Sequence, residues 1–248
     1  MSEFPNDIAG ILFDKDGTLV DYEATWGAAN WRAAYFFADG RQDVAEALME
    51  AGGWDRATGT TLPGSPLVVD TIEEIAEIWT AVLPPHKRDV VVMKSLLHVM
   101  MATDLSVEPL ADLHALFDGL RGKGLRLGVA TNDTEAGAMA TLEPLDVVEK
   151  LDFIAGYDSG HGAKPAPGMV LAFANHIDVS PERVIMVGDN VHDLQSGRAA
   201  GSATVGVLTG NTPREALEPL ADHILGDVSE LLSLLGPSKG YSVSTGGC

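Results

Sequence analysis

Cysteine is nearly absent: the 248 residues contain one, Cys248, at the very end. No internal disulfide can form, and a zinc site built from several thiolates is excluded. Positive charge is also scarce. Sixteen Lys and Arg stand against 36 Asp and Glu, giving a formal net charge of −20. Such a field repels nucleic acid and anionic lipid, so neither is expected as a partner. Long apolar runs are missing too. The stretch 89–101 (DVVVMKSLLHVMM) carries Lys94 and His98 and is too short to span a bilayer. The opening MSEFPNDIAG has neither the basic start nor the apolar run of a secretory leader, so the cytoplasm is the expected location. No repeat of fixed period is visible.

What is present is a 46% hydrophobic content spread along the chain, too much for a disordered polymer. Short apolar runs at 8–13, 125–130, 151–155, 184–187 and 203–208 have the length of strands covered on both faces. Helical spacing separates the later runs. Leu110, Leu113, Leu116, Phe117 and Leu120 form one stripe, with Pro109 expected in the first turn and Gly122 and Gly124 at the end. This alternation predicts an α/β fold with a parallel, Rossmann-like sheet. The interval after the first strand is far longer than one crossover needs. It reads as helices around 44–49, 72–79 and 90–101, interrupted by a Gly-, Thr- and Pro-rich loop at 52–66. The expected organisation is a core of residues 1–20 and 104–236, a helical cap of 21–103, and a frayed tail of 237–248.

Chemistry-bearing residues follow four of the apolar runs. The first enters Asp14-Lys15-Asp16-Gly17-Thr18-Leu19. In an open parallel sheet, ligands bind beyond the carboxyl ends of the strands. Two aspartates there suit a hard divalent cation, or a nucleophile beside an acid/base. Gly17 permits a sharp turn that leaves backbone N–H groups facing an anion. An Asx-type turn is the alternative. The second run ends in Thr131-Asn132-Asp133, where a hydroxyl and an amide can meet an oxyanion or merely cap the next helix. Lys164 sits in the Gly- and Pro-bounded loop 160–165, able to aim its ammonium. The fourth run ends in Gly188-Asp189, with Asp193 one turn on, so both aspartates can share one cation or its waters. Together they make a set suited to magnesium-dependent phosphoryl transfer.

In this order and spacing the residues resemble the haloacid dehalogenase superfamily, within it the phosphoglycolate phosphatase-like branch with a helical cap. The resemblance covers about residues 7–20 and 125–210. It implies that Asp14 attacks phosphorus, that Asp16 acts as acid and then base, and that Lys164 and Thr131 stabilise the phosphoryl oxygens. It also implies a Mg²⁺ held by the Asp14 carboxylate, the Asp16 carbonyl and Asp189, with Asp193 orienting a bound water or Lys164. Gly17, Thr18 and Asn132 would help bind the phosphate. The substrate would be a small phosphate monoester such as phosphoglycolate. A sugar-phosphate mutase or a non-catalytic phosphate-binding protein on the same fold are the alternatives. Lys15 departs from the apolar residue often found there and is expected to point away from both aspartates. In the cap, Arg56 is the candidate partner for a substrate carboxylate, or else a surface residue near Asp55. Trp26 and Trp31 are expected in the cap's core, and His192 carries no assigned role.

Overall fold

The computed structural model describes residues 7–101 and 105–236. The expected tail therefore lies outside the described residues. In chain order the elements are β1 (Gly10–Phe13), α1 (Tyr22–Phe37), α2 (Gln42–Ala51), β2 (Trp54–Asp55), β3 (Thr60–Thr61), α3 (Pro66–Val69), α4 (Ile72–Val82) and α5 (Val90–Met101). They continue as α6 (Leu113–Gly122), β4 (Arg126–Ala130), α7 (Glu135–Leu142), β5 (Phe153–Ala155), α8 (Gly168–His176), β6 (Val184–Gly188) and α9 (Val191–Ala200). The last are β7 (Ala203–Val207), α10 (Arg214–Leu217), β8 (His223–Leu225) and α11 (Leu231–Leu234). No helix among the described residues is long and apolar enough to cross a membrane.

Six strands form one parallel sheet in the order β5-β4-β1-β6-β7-β8. Successive side chains of β1 face opposite sides. Ile11 and Phe13 pack with Leu113, Leu116, Phe117 and Leu120 of α6, while Leu12 joins Met169, Val170 and Phe173 of α8. All of these are buried, which explains why β1 is apolar without alternation. Phe117 is wholly buried against Phe13, so Phe117→Ala is worth about 3–5 kcal/mol.

Register places the site. Phe13 lies opposite Val129 on one side and Val187 on the other. Asp14, Thr131 and Asp189 therefore leave the sheet at the same edge.

Two local expectations change. Helix α6 begins at Leu113, because the Asp112 carboxylate accepts the Ala115 N–H at 2.9 Å and caps the helix there. Pro109 instead forms an antiparallel bridge with Val20, flanked by Asp21 N–H to Glu108 O (2.8 Å) and Leu110 N–H to Leu19 O (2.9 Å). The loop 52–66 contains a short hairpin, Trp54 pairing with Thr61 and Asp55 with Thr60.

The helices inserted after β1 pack on one another. Ala33, Phe37, Leu48, Met49, Leu67, Ala76, Trp79, Met93 and Leu97 make a third apolar cluster, separate from the two on the sheet. Thr71 and Glu74 close a capping box at the start of α4. Ala102 and Thr103, at the expected end of the cap, lie outside the described residues.

Candidate active site

A cleft lies between the sheet edge and the inserted helices, lined on the core side by Asp14, Asp16, Thr131, Asn132, Lys164, Asp189 and Asp193. Asp14 is fixed by its N–H, which donates to Val187 O at 2.8 Å. The chain then turns tightly, with Lys15 O accepting from Leu19 N (2.8 Å) and Val20 N (3.1 Å). Gly17 takes φ +81°, and a Cβ there would come within 2.6 Å of Asp189 Oδ2. Both the turn and the close approach require glycine.

Lys164 is the centre of the charge network. Its ammonium donates to Asp14 Oδ1 (2.5 Å), Asp193 Oδ1 (2.6 Å) and Ala130 O (3.0 Å), which uses all three protons. Asp193 in turn accepts the Asn190 N–H on Oδ2 at 3.0 Å, so the same carboxylate caps α9 and holds the lysine. Asp189 is held by the Thr18 hydroxyl at 2.9 Å.

Asp14, Asp189 and Asp193 are all buried and bring oxygens within 4.8 Å of one another. Burial, reinforced by the Asp193 charge, pushes the Asp14 carboxyl up to about 7 despite the pull of Lys164. Burial and then the neighbouring Asp14 and Asp193 also raise Asp189 well above the carboxylate range. For Lys164, burial favours the neutral amine, but Asp14 and Asp193 outweigh it and hold the ammonium above the ordinary lysine range. Three carboxyl groups thus crowd about one ammonium, which bonds two of them. The surplus negative charge and the all-oxygen donor set fit a small, hard divalent cation.

Asp16 is held on both oxygens. Trp26 Nε1, from α1, donates to Oδ1 at 2.5 Å, and Lys15 Nζ sits 2.7 Å from Oδ2. Lys15 therefore does not point away from both aspartates. The chain turns here instead of staying extended, and the fully buried ammonium reaches Asp16, Asp133 (3.2 Å) and the Trp26 ring (4.6 Å). Through Asp133 the ammonium ties this turn to the neighbouring loop after β4.

Several expected phosphate contacts are used within the protein. The Gly17 N–H donates to Val20 O at 2.8 Å, so it is not left free by the turn. The Thr18 hydroxyl is spent on Asp189, and neither Gly17 nor Thr18 lines the cleft. Asn132 lines it, but its amide protons go to Val69 O and Lys164 O, both at 3.0 Å, and its carbonyl accepts Lys164 N–H at 2.8 Å. Asn132 ties the lysine loop to the inserted helices. Thr131 Oγ1 accepts the Asp133 N–H at 3.1 Å, and its own proton remains for the cleft. Arg56 is 61% exposed and paired with Glu46 and Glu50, each at 2.7 Å, away from the cleft. Its neighbours on α2 capture it first.

Trp26 departs in part from the expectation of a core position. It is buried, but on the cleft wall with Tyr22 and Asn30. The three are spaced by four residues, which puts them on one face of α1. Trp31 does pack against the inserted helices' own cluster.

Acids beyond the ends of β1 and β6, a buried lysine and a helical insertion after β1 define a class, and residues 8–201 match the haloacid dehalogenase-like hydrolases. The chain belongs to that family. Among its relatives are phosphoglycolate phosphatases of Escherichia coli O157:H7, 32% identical with 95% of each chain covered, and of Salmonella typhimurium, 32% identical with 93% of each covered. A predicted phosphoglycolate phosphatase from Haemophilus somnus has a similar structure, with TM-score 0.72 and 18% identity over 94% of this chain and 99% of the other. A Thermotoga maritima chain named provisionally as a β-phosphoglucomutase gives 0.65 and 22% over 92% and 98%. The two structures establish the shared fold.

Proposed function

We propose that the protein is a Mg²⁺-dependent phosphatase that hydrolyses a small phosphate monoester through an aspartyl-phosphate. The observation that carries this reading is the buried Asp14 carboxylate, gripped by Lys164 and grouped with Asp189 and Asp193 at one sheet edge. Asp14, Asp189 and the Asp16 carbonyl would hold the ion, which supplies charge stabilisation for the phosphoryl oxygens. Asp14 attacks phosphorus and the ester bond breaks, its oxygen leaving with a proton from Asp16. Water then attacks the acyl phosphate, Asp16 takes its proton, and phosphate departs. Lys164 favours the ionised form of Asp14 and orients it, and Thr131 donates its free hydroxyl proton to a phosphoryl oxygen. The names of the curated relatives make phosphoglycolate the reference substrate.

The test is phosphate release from a panel of monoesters, with and without Mg²⁺, for wild type and Asp14→Asn. Mg²⁺-dependent turnover that Asp14→Asn reduces by at least about 10⁴-fold is expected. A wild type inert on every ester would overturn the reading.

A further inference from the structure

Opposite the charged sheet edge, the cleft is walled by Leu67, Val68, Val69, Ile72, Ile75 and Met101. None of the lysines or arginines of the inserted helices is among the lining residues. Arg56 is held by glutamates, Arg88 by the carbonyls of Leu83 and Ala81, and Lys87 by Phe37 O. Lys164, the lining residue that does carry an ammonium, has no proton left to donate. The charged side chain that this wall does present is acidic: Asp70, close enough to Glu74 to feel its charge. Across from it, His192 lines the cleft with its buried Nδ1 lacking any hydrogen-bond partner.

A second anionic group on the substrate would enter this space with no lysine or arginine of the inserted helices to meet it and beside a carboxylate. Burying an unpaired charge is costly, and a like charge adds to the cost. An apolar leaving group would lie against the six aliphatic side chains and lose water from both surfaces.

We infer that the substrate is a phosphate monoester with an uncharged, mainly apolar leaving group, and that the cleft disfavours a carboxylate at that position. The inference rests on the phosphatase reading and narrows it: phosphoglycolate is turned over less well than an uncharged ester of its size. Asp70 is a specificity-determining residue and takes no part in the phosphoryl chemistry.

The experiment compares kcat/KM for isobutyl phosphate and phosphoglycolate, in Mg²⁺, for wild type and Asp70→Asn. Wild type should favour isobutyl phosphate by at least about 10-fold, the scale on which pockets discriminate. Asp70→Asn should raise phosphoglycolate relative to isobutyl phosphate by about three- to tenfold, as removal of one nearby like charge predicts. Wild-type preference for phosphoglycolate, with turnover intact, overturns the inference and leaves the phosphatase reading standing. A ratio that Asp70→Asn does not move overturns the role of Asp70. No turnover of either ester removes the phosphatase reading and this inference with it.

Discussion

At the sheet edge, Lys164 is held by three acceptors, Asp193 by two donors, and Asp16 on both oxygens. Across the cleft, six apolar side chains offer volume, and the charged side chain beside them is Asp70. One wall holds its charges in fixed places through paired hydrogen bonds, as electrostatic stabilisation demands. The other excludes water and sorts leaving groups by size and polarity. The two meet through few polar links, chiefly Trp26 to Asp16 and Asn132 to Val69 O. Reaction and recognition are therefore separately adjustable in this molecule.

The hardest blow to that contrast is Lys164→Met. It leaves Asp14 and Asp193 buried without their shared cation, at a cost of about 3–5 kcal/mol. Turnover should fall by at least about 10³-fold, as for removal of a main transition-state charge. Thermal unfolding together with phosphate release checks both. A variant with wild-type stability would mean that the charged wall is not interlocked.

A subtler probe is the pH dependence of metal-free stability. Asp14 has a folded-state value of about 7, above the 3.8 of the unfolded chain. Between those values the folded state binds more protons, so stability falls as pH rises from about 4 to 7. The contribution is on the order of a few kcal/mol. Unfolding in a chelator should show this slope, Mg²⁺ should offset it at pH 7 and above, and Asp14→Asn should flatten it. An unchanged slope in Asp14→Asn would assign the effect to the general negative charge.

Trp26→Phe sharpens the contrast at its crossing point. It keeps the ring and removes the donor to Asp16. We expect kcat to fall about 10-fold, within the range for misplacing a general acid, with KM and unfolding temperature little changed. A change confined to KM would move Trp26 to the recognition side. The smallest effect belongs to Arg56→Ala. Exposed ion pairs contribute little, so stability should stay within about 0.5 kcal/mol and kcat/KM within about twofold.

The sheet was legible because its strands are apolar on both faces, and the aspartates because each follows such a run. What each polar group does was harder to read. Thr18 and Asp189 are 171 positions apart, and only the shared register of β1 and β6 makes one the donor to the other. Asn132 looked like an oxyanion contact because nothing local reveals Val69 O across the cleft. Lys15 needed both Asp133 and the turn at Gly17 to find its partners. The i, i+4 series Tyr22, Trp26, Asn30 was visible, but buried aromatics on a helix usually mean core. Gly210 carried no signal, although a Cβ there would lie 1.8 Å from Asp189 Oδ2.

The bridge between Val20 and Pro109 brings the insertion's two ends together, so the sheet meets it as a closed loop. That has a consequence for the order of synthesis. Strand β1 lies between β4 and β6, whose residues begin at Arg126 and Val184. The insertion's apolar cluster is complete by Met101. On a ribosome the helices can gather first, while β1 waits for one neighbour and then the other. Proteolysis of chains stalled near residue 150 should find the helices protected and β1 still open on its β6 side. The aspartate loop is made early and enclosed late.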